Sequence, residues 1–107
     1  MVDEKRADKT RKALRIEIAR QVGPMAMFIF DAIIGQYPKG NNIDGWFMPD
    51  HKGIMREKKL NHSAYYYLVF CLVDKGFLER GRRMFGSKRG IWYRINWEKL
   101  GEMSRAL

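Results

Sequence analysis

The chain has 107 residues, with 21 Lys and Arg against 12 Asp and Glu for a formal net charge of +9, and 46% of it is hydrophobic. Such a length supports one modest core and excludes a core plus a deep enzymatic cleft, while the apolar and aromatic content excludes a disordered chain. The charge calls for an acidic partner, nucleic acid ahead of an anionic membrane surface.

From Asp3 to about Val22 the residues are good helix formers, and Leu14, Ile18 and Val22 recur at i, i+4 and i+8, which predicts a helix with one buried face. Ala13 and Ile16 fall on its other side, and Lys5, Arg6, Lys9, Arg11, Lys12, Arg15 and Arg20 make it strongly basic. Residues 1–23 therefore read as a basic N-terminal helix or arm, whose second apolar stripe leaves room for a homodimer partner. The opening MVDEKRADKTRKALRIE is too charged for a secretory signal and too acidic for a transit peptide, so the expected location is cytoplasmic.

Gly23-Pro24 ends this helix and opens the next, which is predicted to reach about Tyr37. Met25, Phe28, Ile29, Ala32 and Ile33 form its main stripe, and Met27, Phe30 and Ile34 make the opposite side apolar too. A helix apolar on both sides is expected to be central, or buried in a dimer. The run Met25 to Ile34 is only about half of the ~20 residues a membrane span needs, so it reads as core and no membrane is expected as a partner. Asp31 interrupts it, and a buried carboxylate calls for an Arg or a backbone amine beside it.

PKGNNIDG, residues 38–45, is dense in turn formers and reads as a loop. WFMP follows as a very short strand ended by Pro49, with Asp50 placed to cap a third helix over His51–Lys59. Ile54 and Met55 point inward on that helix, Lys52, Arg56, Lys58 and Lys59 outward, and Gly53 weakens it. Asn61 caps a fourth helix reaching Lys75, and Gly76 stands where a left-handed C-terminal residue belongs. Cys71, the lone cysteine, lies among Leu68, Val69, Leu72 and Val73 and reads as a buried free thiol in a reducing compartment.

After Gly76 the period changes from 3.6 to 2. FLERGRRMF and GIWYRIN are short aromatic and β-branched segments joined by GSKRG, which predicts a β-hairpin. Ile91, Tyr93 and Ile95 share the face that lies on the helices, and Trp92 and Arg94 share the other. WEKLGEMSRAL is a closing helix or a frayed tail.

Taken in order, these elements, and in particular LNHSAYYYLVFCLVDKGFLER, resemble a winged helix-turn-helix domain from about Trp46 to Trp97, with the second helix as support. GW, KGFLER and WYRIN are similar to elements in the winged-helix modules of phage and plasmid replication initiators and of small transcription regulators. The fold class implied is α+β, mainly α: a helix bundle with a C-terminal hairpin wing over residues 24–107. Within that resemblance Tyr65, Leu68, Val69, Leu72 and Val73 match inward positions. His62, Ser63, Tyr66, Tyr67 and Phe70 match the recognition face that meets the major groove. This face departs from the family in lacking the Arg, Asn or Gln side chains that read base edges bidentately, so sequence preference is expected to be modest.

The wing supplies the charge that the helix lacks. Arg80, Arg82, Arg83, Lys88, Arg89 and Arg94 occur with no acidic residue between Arg80 and Trp97, and Lys52, Lys58 and Lys59 add a basic flank. Phosphate contacts fix register and supply affinity, which suits such residues. Catalysis is poorly supported: His51 and His62 stand apart without a carboxylate at helical spacing, and no metal-ligand motif or phosphate-binding loop is present. His51 reads as a surface residue. The expected function is non-enzymatic binding of double-stranded DNA, without cofactor or metal, in replication initiation or transcription regulation and associated with the nucleoid. The alternative is a winged-helix module that binds protein through Tyr66, Tyr67 and Phe70; a third reading, stacking on unpaired bases, is permitted by Trp92, Tyr93 and Phe85 in the basic groove, but the fold precedent favours duplex. With about six phosphates neutralised, DNA affinity is expected to fall about a thousandfold between 50 and 200 mM salt.

Overall fold

The computed structural model describes residues 4–38 and 43–107, with side chains from residue 10 onward in the first helix. The expected helix start at Asp3, the side chains of Lys5, Arg6 and Lys9, and residues 39–42 of the turn-rich loop lie outside the described residues. The element order is α1 Glu4–Val22, α2 Pro24–Gly35, β1 Trp46–Phe47, α3 His51–Lys58, α4 His62–Asp74, β2 Leu78–Phe85, β3 Lys88–Ile95 and α5 Trp97–Ala106. The architecture is α+β and mainly helical, with a three-stranded antiparallel sheet in the order β1-β3-β2.

Local chemistry sets the breaks between elements. Pro24 opens α2 directly after Gly23, whose φ of 90° only glycine adopts freely. Asp50, Asn61 and Asn96 cap α3, α4 and α5 by accepting from the backbone N–H of Gly53, Ala64 and Lys99. At the end of α4, Phe77 N–H donates to the Leu72 carbonyl and Gly76 N–H to the Val73 carbonyl. This is a Schellman closure with Gly76 left-handed at φ 83°. Helix α3 ends in the same way, Leu60 N–H donating to Met55 and Lys59 N–H to Arg56, but the left-handed position holds Lys59 at φ 56°.

The core sits where α2, α4 and the sheet meet. Ile29, Phe30, Ile33, Tyr65, Leu72 and Phe77 are fully buried in it. Helix α1 joins the same core through Ile18, with Leu14 and Val22 packed beside it, so the predicted inward face is the observed one. Asp31 finds its partner in Arg15 of α1, an ion pair that ties α1 to α2; both side chains keep substantial exposure, so the carboxylate is not the buried one expected. The predicted main stripe of α2 needs correction. Met25 and Phe28 are exposed, whereas Ala26, Met27 and Phe30 are buried with Ile29 and Ile33, because α1 and α4 cover a face of α2 turned by about a quarter turn from the predicted stripe, which keeps Ile29 and Ile33 in common. Ile16 of α1 is exposed, as is Trp97 at the start of α5. Cys71 is half-buried rather than buried.

Two tight turns shape the sheet. Asp44 and Gly45 both have positive φ, 53° and 85°, inside a turn closed by reciprocal backbone bonds between Ile43 and Trp46, so the tail of the predicted loop is a tight turn leading into β1. The hairpin turn is shorter than GSKRG suggested. Phe85 pairs with Lys88, leaving only Gly86 and Ser87 as loop, and Gly86 carries the positive φ of 62° that a two-residue turn needs at its first central position. Lys88, Arg89 and Gly90 are therefore strand residues. Among the described residues, no helix is long and apolar enough to cross a membrane.

Candidate nucleic-acid interface

Helix α4 divides its residues by the 3.6 period. Tyr65, Val69 and Leu72, at i, i+4 and i+7, are buried, while His62, Ser63, Tyr67 and Phe70 are exposed on the other side. Phe70 and Tyr67 expose 62% and 66% of their surface, more than any other large hydrophobic residues described. Tyr66 departs from the reading that put it fully outward: it is half-buried, its ring held between His51 and His62 at centroid distances of 5.5 and 4.6 Å. Leu68 and Val73, expected inward, are partly buried against the core.

Between α4 and the hairpin runs a cleft of about 760 Å³. His62, Tyr66 and Phe70 line its helical wall, Arg80, Arg82 and Ile91 its hairpin wall, and His51 and Tyr93 its floor. His51 is not the surface residue expected. Its Nδ1 lies 2.6 Å from Tyr65 Oη in a hydrogen bond, and its ring meets Tyr65 and Tyr93 edge to face at 5.5 and 5.0 Å. Burial lowers its pKa, which Asp50 partly opposes and Arg80 reinforces, so the ring is neutral at neutral pH. Burial likewise raises the pKa of the Tyr65 and Tyr93 phenols, keeping both protonated. One signal for His51 was present in the sequence, since it stands at i−3 and i−4 from the inward residues Ile54 and Met55 and shares their face.

The hairpin cations do not form one patch. Register places Arg80 opposite Tyr93, Arg82 opposite Ile91 and Arg89 opposite Met84, and these pairs share the face turned to α4. Arg83, Lys88 and Arg94 pair with Gly90, Phe85 and Glu79 on the opposite face. There Arg83 and Arg94 stack on the Trp46 ring at 4.8 and 4.7 Å, and Phe85 meets Trp92 edge to face at 4.8 Å. Arg94 also binds Glu79 at 2.5 Å. The hairpin is thus not of a single charge sign, because Glu79, one residue outside the window chosen from sequence, neutralises Arg94 across the strands. Of the six hairpin cations named from sequence, Arg80 and Arg82 line the cleft with α4, Arg89 shares their face near the tip, and Arg83, Lys88 and Arg94 lie on the other side.

The flank residues lie on α3 and its cap, outside the cleft. Lys52 and Lys59 are exposed, and Lys58 lies 3.7 Å from Glu57. Among the described residues, no group of three or more His, Cys, Asp and Glu side chains is arranged to hold a metal ion. Comparison of the chain with family models, with curated proteins and with solved structures finds no match.

Proposed function

We propose that this chain binds double-stranded DNA as a winged helix-turn-helix protein, with α4 entering the major groove and the β2–β3 hairpin acting as the wing. The supporting observation is the shared cleft: exposed His62 and Phe70, with half-buried Tyr66 between them, stand across from Arg80 and Arg82, so one polyanion reaches both walls. The element order from α2 to β3 and the strand order β1-β3-β2 fit this reading. Ser63 and Tyr67 extend the ridge, Arg89 and Lys88 lie nearest the hairpin tip, and Lys52 and Lys59 offer further phosphate contacts. The roles consistent with this reading are replication initiation and transcription regulation at the nucleoid.

A second reading is favoured by the exposure of Tyr67 and Phe70, since apolar residues bared together mark protein contacts as well. In that case the same ridge docks a protein of a replication or regulatory complex. Gel-shift titration against duplex DNA at 50 and 200 mM salt separates the two. If five phosphates are neutralised, the slope of about −0.9 per contact gives a fall of about 500-fold over that range. The double variant Arg80→Glu, Arg82→Glu removes binding under the DNA reading, and a wild-type affinity indifferent to salt rejects it.

A further inference from the structure

The cleft is larger and more aromatic than a phosphate-backbone contact requires. At about 760 Å³ it falls within the range of roughly 300–1,000 Å³ typical of small-molecule sites. Its floor is built from the rings of His51 and Tyr93, its helical wall from Tyr66 and Phe70, and no carboxylate lines it. His51 spends its Nδ1 on Tyr65, and its neutral ring brings no charge to the floor. The lip is cationic: Arg80 stands opposite Tyr93 across the strands, Arg82 is exposed, and neither forms an ion pair with an acidic side chain among the described residues. Rings beneath and guanidinium groups at the rim match a planar base carrying a phosphate, because bases stack on aromatic side chains and Arg binds phosphate oxygens.

Resting on the duplex-binding reading, we infer that the cleft between α4 and the hairpin receives one unpaired nucleotide of the bound DNA, its base against Tyr66, Phe70 and the His51–Tyr93 floor and its phosphate against Arg82. The cleft lies between the two elements assigned to the duplex, so a nucleotide leaving the stack there meets it without a change of grip. Extruding a paired base costs a few kcal/mol, whereas a bulged base is already free. The protein therefore selects DNA with an unpaired nucleotide over perfect duplex.

The test uses the full chain and two duplexes of matched sequence, one perfect and one with a single bulged 5-iodo-deoxyuridine, titrated at one salt concentration and then irradiated. Stacking of one base makes the bulged duplex bind about 5- to 150-fold tighter. The photocrosslink from the bulge maps to Tyr93 or His51 at the floor. In Tyr66→Ala and in Phe70→Ala the ratio of the two affinities falls toward one; a ratio is insensitive to any loss of active protein. Equal affinity for both duplexes, or an undiminished ratio in both variants, overturns the inference and leaves duplex binding in place. Failure to bind either duplex overturns duplex binding itself. A free deoxynucleotide monophosphate that displaces the crosslink as well as bulged DNA does shows a site for a soluble nucleotide and overturns the assignment to a strand-borne one.

Discussion

Lys59 is held in a conformation that glycine occupies at lower cost, and replacing it separates stability from binding. Its φ of 56° and ψ of 45° place an L-residue in the left-handed region at the end of α3, in the position that Gly76 occupies at the end of α4. An L-residue there is disfavoured by about 1–2 kcal/mol. Glycine removes that strain but gives back about 0.4–1 kcal/mol through the greater freedom of its unfolded chain. The expected net gain for Lys59→Gly is about 0–1.6 kcal/mol, and its midpoint of about 0.8 kcal/mol raises Tm by about 3–6 °C for a domain of this size. Urea and thermal unfolding followed by the fluorescence of the chain's three tryptophans measure it. The reciprocal Gly76→Ala moves the same quantity downward by a like net amount, about 0–1.6 kcal/mol, since the backbone bonds of the two caps are alike. On DNA the Lys59→Gly protein is expected to lose one phosphate contact, seen as a salt slope smaller by about 0.9. A Lys59→Gly protein less stable than the parent refutes the strain argument. One that is more stable with an unaltered salt slope removes Lys59 from the proposed DNA-binding flank.

Three further outcomes follow from the geometry. Because burial lowers the pKa of His51 below its unfolded value near 6.5, the unfolded chain binds that proton more readily, so the contribution of the neutral ring to stability is present above pH 6.5 and is lost as pH falls through 6.5 toward the folded value; His51→Gln should flatten the pH dependence of the urea midpoint between pH 7 and 5, and an unchanged slope refutes the assignment. Gly53→Ala within a helix ordinarily gains about 1 kcal/mol, but here a Cβ meets the Asp50 carboxylate that caps α3, so the expected change is zero or destabilising, and a full gain in thermal stability contradicts the cap geometry. Arg15→Ala breaks the link to Asp31 between two half-exposed side chains and should cost less than about 1 kcal/mol; a loss several times larger in chemical denaturation would mean that α1 is held by this pair rather than by Ile18.

Where local chemistry decides structure, the sequence was explicit. Pro24, Asp50, Asn61 and Gly76 mark helix ends because a cap or a left-handed residue acts within four positions of itself, and each stands at the boundary read from it. Alternation in GIWYRIN likewise specified which side of β3 faces the helices, with Tyr93 and Ile95 buried there. The α-helical period separated Tyr65 from Tyr67 in a row of three tyrosines. Helix α2 is not legible in this way: with apolar residues on every side, its period does not say which neighbours cover it, and Phe28 of its main apolar stripe is exposed.

The sequence by itself determined the order of elements, the helix caps, the buried face of α4 and the excess of positive charge, since each depends on residues near one another in the chain. Only the tertiary structure decided the rest. It set the two-residue hairpin turn that divides the hairpin arginines between two faces, the pairing of Glu79 with Arg94 across fifteen residues, and the approach of His51 on α3 to Tyr65 on α4 and Tyr93 on β3. These are contacts between elements, fixed by how the faces pack and by strand register, and no residue carries that information in its immediate neighbours.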